Sequence, residues 1–196
     1  MNMQGHGYAE LMAAARDPGD PATLALAGVI ALAPRRRTPY GVPIAGVDSV
    51  ALAALQERIF PYLQSPMLLT DCPLPAPSLL DEFDDLLALL LDHRSGQDEP
   101  SRWLSHAVAT AAMADNHLWQ DLGLPSRVEL SALMRLHFTS LALRNTGDMK
   151  WKKFFYRQLC ERAGLSICRS PSCGVCSDYP QCFGPEEVLT VHHQSG

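Results

Sequence analysis

The sequence lacks several features that would assign it to common functional classes. It has no net positive charge, because 16 Lys and Arg residues face 21 Asp and Glu residues, giving −5 with neutral histidine. A general nucleic-acid-binding protein is normally basic, so we expect no nucleic-acid partner. The sequence also contains no glycine-rich phosphate loop, no Gly-x-Ser-x-Gly turn and no His-Glu-x-x-His motif. These absences predict a protein that is not an enzyme.

Long hydrophobic runs are also missing. The longest clean run, Leu24–Ala33, is about half of the length that a bilayer-spanning helix needs. The first residues, Met1–Gly7, have neither the basic start nor the apolar segment of a signal peptide. We therefore expect a cytoplasmic protein with no membrane partner, in which the six cysteines are not paired as disulfides.

The patterns that are present predict an all-α helical bundle, beginning with three helices. Residues 8–16 are strong helix formers. Asp20 is the expected N-cap of the next helix, and Asp48 or Ser49 that of the third. The third helix is expected to end at Phe60, because a proline follows and disfavours a helical residue before it. Its predicted apolar positions are Val50, Leu52, Leu55 and Ile59.

Three serines predict the starts of the next helices. Ser78 and Ser101 are each placed to cap a helix, and Ser126 with Glu129 three residues later forms a capping box. The predicted apolar positions after Ser126 are Leu130, Leu133, Leu136 and Leu141. One more helix is expected over Met149–Arg162, with Trp151, Phe154, Phe155 and Leu159 on one side.

The chain is predicted to contain two parts. Residues 1–147 form a helical domain, and residues 148–196 form a basic helix followed by an irregular cysteine-rich segment. Residues 47–60 and 125–138 align at an offset of 78 positions, which suggests an internal duplication of residues 8–60 as residues 79–138. Each copy would be a three-helix unit. Ordinary amphipathic patterning of unrelated helices is the alternative.

The cysteines near the C-terminus carry the main chemical signal. Their spacing is Cys168-x4-Cys173-x2-Cys176-x5-Cys182, in a stretch broken by proline and glycine. Such a short, bent loop lets several thiolates converge on a metal, and its first part matches the spacing of plant-type ferredoxins. Structural zinc is a rival, although it usually takes two short knuckles separated by a longer loop. Redox-active dithiols are the third alternative.

Local charge agrees with a thiolate site. Residues 148–182 hold six basic and three acidic residues, in a chain whose remainder is strongly acidic. A basic neighbourhood favours thiolates and offsets an anionic cluster, and it would also attract an oxyanion or an acidic partner surface. A solvated helix face explains the same lysines without any function.

Other candidate ligands are weaker. Cys160 lies at a helix end and is expected to be a core residue, with an extra metal ligand as the minority interpretation. Cys72 lies in a proline-rich connector and is interpreted as incidental. We expect His117 to form structural hydrogen bonds rather than to bind metal.

Two longer segments resemble a known family. The run Met149–Cys160, then the four cysteines followed by Phe183-Gly184-Pro185, strongly resembles the NifQ family of nitrogenase molybdenum-processing proteins. The segment from His117 to Leu124 is also similar to that family, as is the segment from Glu129 to Phe138. The resemblance covers about residues 79–187. Thr139 departs from the pattern, since a proline is expected after His-Phe.

The resemblance implies a function that spacing alone does not. Proteins of this family carry a molybdenum-containing iron–sulfur cluster, built on an iron–sulfur precursor cluster. They deliver molybdenum for assembly of the iron–molybdenum cofactor, working with the nitrogenase cofactor scaffold complex and the nitrogenase iron protein. By this resemblance, Cys168, Cys173, Cys176 and Cys182 are the cluster ligands. The alternative function is that of a zinc-stabilised helical protein-interaction module.

Overall fold

The computed structural model describes residues 6–35, 42–67, 77–165 and 179–186, and these ranges are helical with no strand. The predicted all-α fold is therefore confirmed. A 3₁₀ turn, Ala33–Arg35, follows the second helix. The α-helices, in chain order, are α1 Tyr8–Ala13, α2 Pro21–Leu32, α3 Ser49–Ile59, α4 Pro77–His93, α5 Glu99–Ala112, α6 Leu118–Asp121, α7 Arg127–His137, α8 Thr139–Ala142, α9 Trp151–Arg162 and α10 Tyr179–Phe183.

The chain divides into two compact units, unit 1 (Met1–Arg144) and unit 2 (Asn145–Gly196). The domain boundary predicted between residues 147 and 148 stays a prediction. Within the described ranges, no helix is long and apolar enough to cross a membrane.

The early helices of unit 1 begin where the sequence predicts. Asp20 caps α2 by accepting the backbone N–H of Thr23 at 3.1 Å, and Asp48 caps α3 by accepting the backbone N–H of Ala51 at 2.8 Å. Each carboxylate satisfies a helix-terminal N–H group that has no partner within the helix. Phe60 ends α3 and is fully buried.

Two of the serine caps are wrong and one is confirmed. The fourth helix begins at Pro77, so Ser78 lies within its first turn. The fifth is capped by Asp98, whose carboxylate accepts the backbone N–H and the hydroxyl of Ser101. With Asp98 as the N-cap, Pro100 lies in the first helical turn. A proline is tolerated there because the N–H groups of that turn have no partner within the helix. Ser126 does cap α7, accepting the N–H of Val128 at 3.0 Å and donating its hydroxyl to Glu129.

Most of the apolar positions predicted for α3 and α7 are buried, but Val50 and Leu136 are exposed and Ile59 is only half-buried. Leu52 and Leu55 of α3 and Leu130 and Leu133 of α7 are buried as predicted. By contrast, Val50 is 77% exposed and Leu136 is 58% exposed, so their predicted core positions are wrong. Val50 lies in the first turn of α3, and Leu136 lies near the end of α7. At both positions the described part of the chain leaves the side chain exposed to solvent. Leu141 is buried, but it lies in the separate short helix α8.

One glycine pair sets how closely α2 approaches the loop between α6 and α7. A Cβ on Gly28 would lie 2.0 Å from the carbonyl oxygen of Leu122 and 2.8 Å from the Cα of Gly123. Gly123 has a φ of +66°, a conformation that other residues rarely adopt. The glycines let two backbones touch, which explains why a loop can pack directly on a buried helix.

A buried polar clamp attaches the segment before α3 to the middle of α5. The hydroxyl of Thr110 accepts the backbone N–H of Ala45 at 2.9 Å and donates to the carbonyl of His106 at 2.7 Å. The Nδ1 of His106 donates to the carbonyl of Ala45 at 3.0 Å. Buried polar groups are thereby paired, which removes the cost of leaving them without partners.

Some features of unit 1 recur 78 positions apart. Asp20 and Asp98 cap their helices with the same pair of bonds, to the backbone N–H and hydroxyl of the residue three positions on. Phe60 and Phe138 end α3 and α7, are fully buried, and share similar backbone angles (φ −121°, ψ 55° and φ −137°, ψ 48°). A duplication would leave such equivalences; the duplication itself stays a prediction.

Candidate metal centre

Of the four motif cysteines, Cys182 lies in the described part of the chain. Cys168, Cys173 and Cys176 lie outside the described residues, so their convergence with Cys182 stays a prediction. Cys182 is on α10, is not in a disulfide and is partly exposed. A free, accessible thiol is the state that a metal ligand requires before it is loaded.

The short helix α10 carries Cys182 between two aromatic residues. Tyr179 and Phe183 stack with ring centroids 4.5 Å apart. The helix ends at Gly184, whose N–H donates to the carbonyl of Pro180 at 2.8 Å. A Cβ on Gly184 would lie 2.4 Å from that carbonyl oxygen, so only glycine fits there without a backbone shift. These contacts hold the backbone on both sides of the thiol.

A tight turn at the start of unit 2 contacts this helix; we refer to residues 145–150 as the Asn145 turn. The side-chain oxygen of Asn145 accepts the N–H of Met149 at 2.8 Å, and its amide nitrogen donates to the carbonyl of Met149 at 2.9 Å. The backbone carbonyl of Asn145 accepts the N–H of Asp148 at 3.1 Å. Asp148 has a φ of +52°, the sole positive value among the described non-glycine residues.

Two contacts join the Asn145 turn to the Cys182 segment. The backbone N–H of Lys150 donates to the carbonyl of Cys182 at 2.8 Å. A Cβ on Gly147 would lie 3.2 Å from Cε1 of Phe183, so the ring lies close to the turn where Gly147 has no side chain. The sequence did not predict these contacts, because a hydrogen bond between backbone groups far apart in the chain leaves no periodic signal.

The positive charges of unit 2 concentrate at the start of α9. The chain's three lysines are Lys150, Lys152 and Lys153, which take the N-cap and first turn of that helix. The first turn contains no acidic residue, and the side chain of Lys150 forms no capping bond. The helix dipole disfavours cations at this end, so an anionic group near Cys182 would relieve the repulsion. A metal group bound by several thiolates has this charge, and the cluster of lysines is compatible with it.

The rest of α9 forms a buried aromatic face. Trp151, Phe154 and Phe155 are buried and contact one another, with ring centroids 5.7 to 6.3 Å apart. Cys160, on the same helix, is 9% exposed, and its carbonyl accepts the N–H of Leu165 at 2.8 Å. Its burial agrees with a core residue, and a role as an extra ligand stays a prediction.

Three histidines of unit 1, His106, His117 and His137, lie on helices or at their ends. The pKa of His106 is lowered by burial, and the ring is occupied by its bond to Ala45. His137 is half-buried, and burial also lowers its pKa. The backbone N–H of His117 donates to the side chain of Gln120 at 3.2 Å, which closes the first turn of α6. Among the described residues, no three His, Cys, Asp or Glu side chains form a group that could hold a metal ion.

The fold and the site together define an all-α protein with a cysteine-bearing C-terminal unit. A family model described as NifQ matches residues 25–184, a range that includes all four motif cysteines. The chain belongs to the NifQ family. Proteins of this family are accessory proteins of nitrogen fixation.

Curated relatives agree with this assignment. A stretch of 142 residues is 42% identical to Protein NifQ of Rhodobacter capsulatus and covers 72% of this chain and 76% of the relative. Another of 106 residues is 50% identical to Protein NifQ of Azotobacter vinelandii and covers 54% of each chain. The chain thus spans about half the length of the Azotobacter relative. No solved structure matches the chain.

Proposed function

We propose that this protein is a molybdenum carrier that receives molybdenum in an iron–sulfur cluster and donates it for assembly of the nitrogenase iron–molybdenum cofactor. The observation that carries the proposal is the family match over residues 25–184, which spans the whole Cys168-x4-Cys173-x2-Cys176-x5-Cys182 motif. The proposal includes a cytoplasmic location and no catalysis by the protein itself. Its proposed partners are the cofactor scaffold complex, as acceptor, and the nitrogenase iron protein.

The described residues support a cargo site rather than a closed structural one. Cys182 is partly exposed and lies on a helix that has no buried residue. A site that must release its metal needs such access, whereas structural zinc is enclosed by four protein ligands. Sulfide and thiolate are soft ligands that suit iron–sulfur clusters. The bound cluster would carry the molybdenum that the protein donates. The protein's part is to hold the thiolates and to keep the site accessible.

The test is metal analysis of anaerobically purified protein and of four variants, Cys168→Ala, Cys173→Ala, Cys176→Ala and Cys182→Ala. We expect iron and molybdenum in the wild-type protein, with an electron paramagnetic resonance signal, and loss of both metals in each variant. Cys72→Ala is the matched control, because it removes a cysteine outside the motif. Cys160→Ala distinguishes a core residue from an extra ligand.

Two results would contradict the proposal. One equivalent of zinc without iron in a colourless wild-type protein would favour the zinc-stabilised interaction module instead. Full retention of iron and molybdenum in two of the four cysteine variants would remove the cysteine motif as the binding site.

A further inference from the structure

The peptide group between Met149 and Lys150 is bonded at both of its polar ends. Its carbonyl oxygen accepts the side-chain amide of Asn145 at 2.9 Å, and its N–H donates to the carbonyl of Cys182 at 2.8 Å. Because a peptide group is planar, fixing the carbonyl at one edge also fixes the direction of the N–H at the other. The Asn145 side chain therefore determines where the bond to Cys182 points.

The turn that presents this peptide group is held in a costly conformation. Asp148 has a φ of +52°, which a residue with a side chain adopts only when its surroundings require it. The second side-chain bond of Asn145, from the N–H of Met149 at 2.8 Å, closes the turn around Asp148. Loss of the asparagine would therefore free both the turn and the peptide group.

The Cys182 segment lies at the surface of unit 2. Its helix has no fully buried residue, so it is not anchored in a hydrophobic core. Its contacts with the Asn145 turn are the Lys150 bond and the approach of Phe183 to Gly147. The turn thus supplies a direct backbone bond to Cys182.

We infer that Asn145 is a positioning residue that sets Cys182 in place before metal binds, acting through the Met149–Lys150 peptide group. The inference rests on the proposed function, in which Cys182 is a cluster ligand. Residues that orient metal ligands typically change metal affinity by about 10- to 100-fold when replaced. A ligand side chain that is already in place also loses less conformational entropy when the metal binds.

Two variants separate the bonds of Asn145. Asn145→Ala removes both side-chain bonds. Asn145→Asp keeps the acceptor for the N–H of Met149 but places an oxygen against the Met149 carbonyl, so it breaks only the bond to that carbonyl. Asn116→Ala is the matched control, because the Asn116 side chain also donates in a loop, to Asp121 at 3.0 Å in unit 1. Far-UV circular dichroism checks that each variant is folded.

The first measurement uses metal-free protein and follows hydrogen exchange of the Lys150 amide by nuclear magnetic resonance. We expect about 10-fold faster exchange in both Asn145 variants, the loss that one broken hydrogen bond produces, and no change in Asn116→Ala. The second measurement follows iron retention by the reconstituted protein against a chelator. We expect retention at least about 10-fold weaker in both Asn145 variants, with an altered electron paramagnetic resonance signal.

The outcomes distinguish this inference from the proposed function. A wild-type protein that takes up no iron–sulfur cluster contradicts the proposed function and, with it, a role for Asn145 toward a ligand. A loaded wild-type protein whose Asn145 variants keep both the Lys150 protection and the iron retention overturns the positioning role alone. Faster Lys150 exchange with unchanged iron retention overturns it as well, because the turn would then be purely structural.

Discussion

Helices α2 and α10 are held in place in opposite ways. In unit 1, α2 buries eight of its twelve residues, whereas α10 in unit 2 buries none. The first is stabilised by non-directional apolar contact, which many leucines and alanines supply together. The contacts of the second include directional ones, such as the bond from the Lys150 N–H to the Cys182 carbonyl and the stacking of Tyr179 on Phe183. We therefore expect disturbance of α10 to leave the core of unit 1 folded.

The largest effect is expected at Gly28 in unit 1. Gly28→Ala puts a Cβ 2.0 Å from the carbonyl oxygen of Leu122, and backbone cannot move aside cheaply. We expect the free energy of unfolding to fall by about 3 kcal/mol, as in other overpacked cores, measured by urea denaturation. Gly19→Ala is the control, because its Cβ would meet Asp17 at an ordinary 3.5 Å. Equal stability of the two variants would show that unit 1 does not depend on close packing.

A smaller effect of a different kind is expected at Gly184 in unit 2. Gly184→Ala puts a Cβ 2.4 Å from the carbonyl oxygen of Pro180 and disturbs the end of α10. We expect iron affinity to fall by about 10-fold, with the melting temperature of the protein unchanged. Tyr179→Phe should bind iron normally, because the stacked ring is kept. A lowered melting temperature with normal iron binding would contradict this prediction, because Gly184 would then matter for folding and not for metal binding.

Removing either of the two equivalent helix caps of unit 1 should lower the free energy of unfolding by about the same amount. Asp20→Ala and Asp98→Ala each remove a carboxylate that accepts a backbone N–H and a hydroxyl, and each should lower the free energy of unfolding by about 1 kcal/mol. The asparagine variants at the same positions keep an acceptor and should stay near the wild type. Costs that differ severalfold in chemical denaturation would argue against equivalent halves.

The smallest effect concerns pH. Burial holds the pKa of His106 below its ordinary value of 6.5, so the unfolded chain takes up a proton that the folded one resists. Stability is therefore full above about pH 6.5 and falls as the pH drops below it. His106→Gln should make this fall shallower without abolishing it, because burial also lowers the pKa of His137. Denaturation midpoints between pH 7 and pH 5 test this, with His6→Gln as the control; identical slopes in all three proteins would contradict it.

The sequence predicted most of the helices because their signals are local. An aspartate or serine before an apolar run predicts an N-cap, which is correct at Asp20, Asp48 and Ser126. The prediction is wrong at Ser101, where Asp98 three residues earlier competes for the same helix end. Val50 and Leu136 show a second limit. Periodicity predicts which residues share one face of a helix, but it does not predict whether another part of the chain packs on each of them.

The candidate centre was only partly accessible to sequence reasoning. Cysteine spacing and family resemblance identified Cys182 and its three motif partners. The bond from Lys150 to Cys182 joins positions far apart in the chain, and the Asn145 side chain acts on it through a peptide group. Neither contact has a characteristic composition or period, so only coordinates reveal them.

The placement of the lysines has a practical consequence. Since Lys150, Lys152 and Lys153 are the only lysines in the chain, an acylating dye can attach elsewhere only at the α-amino terminus. The peptide N–H of Lys150 contacts the Cys182 carbonyl, so a dye on Lys150 would be attached to a residue adjoining Cys182. A change in its fluorescence on adding iron and sulfide would test the proposed metal binding at Cys182, with no engineered tag.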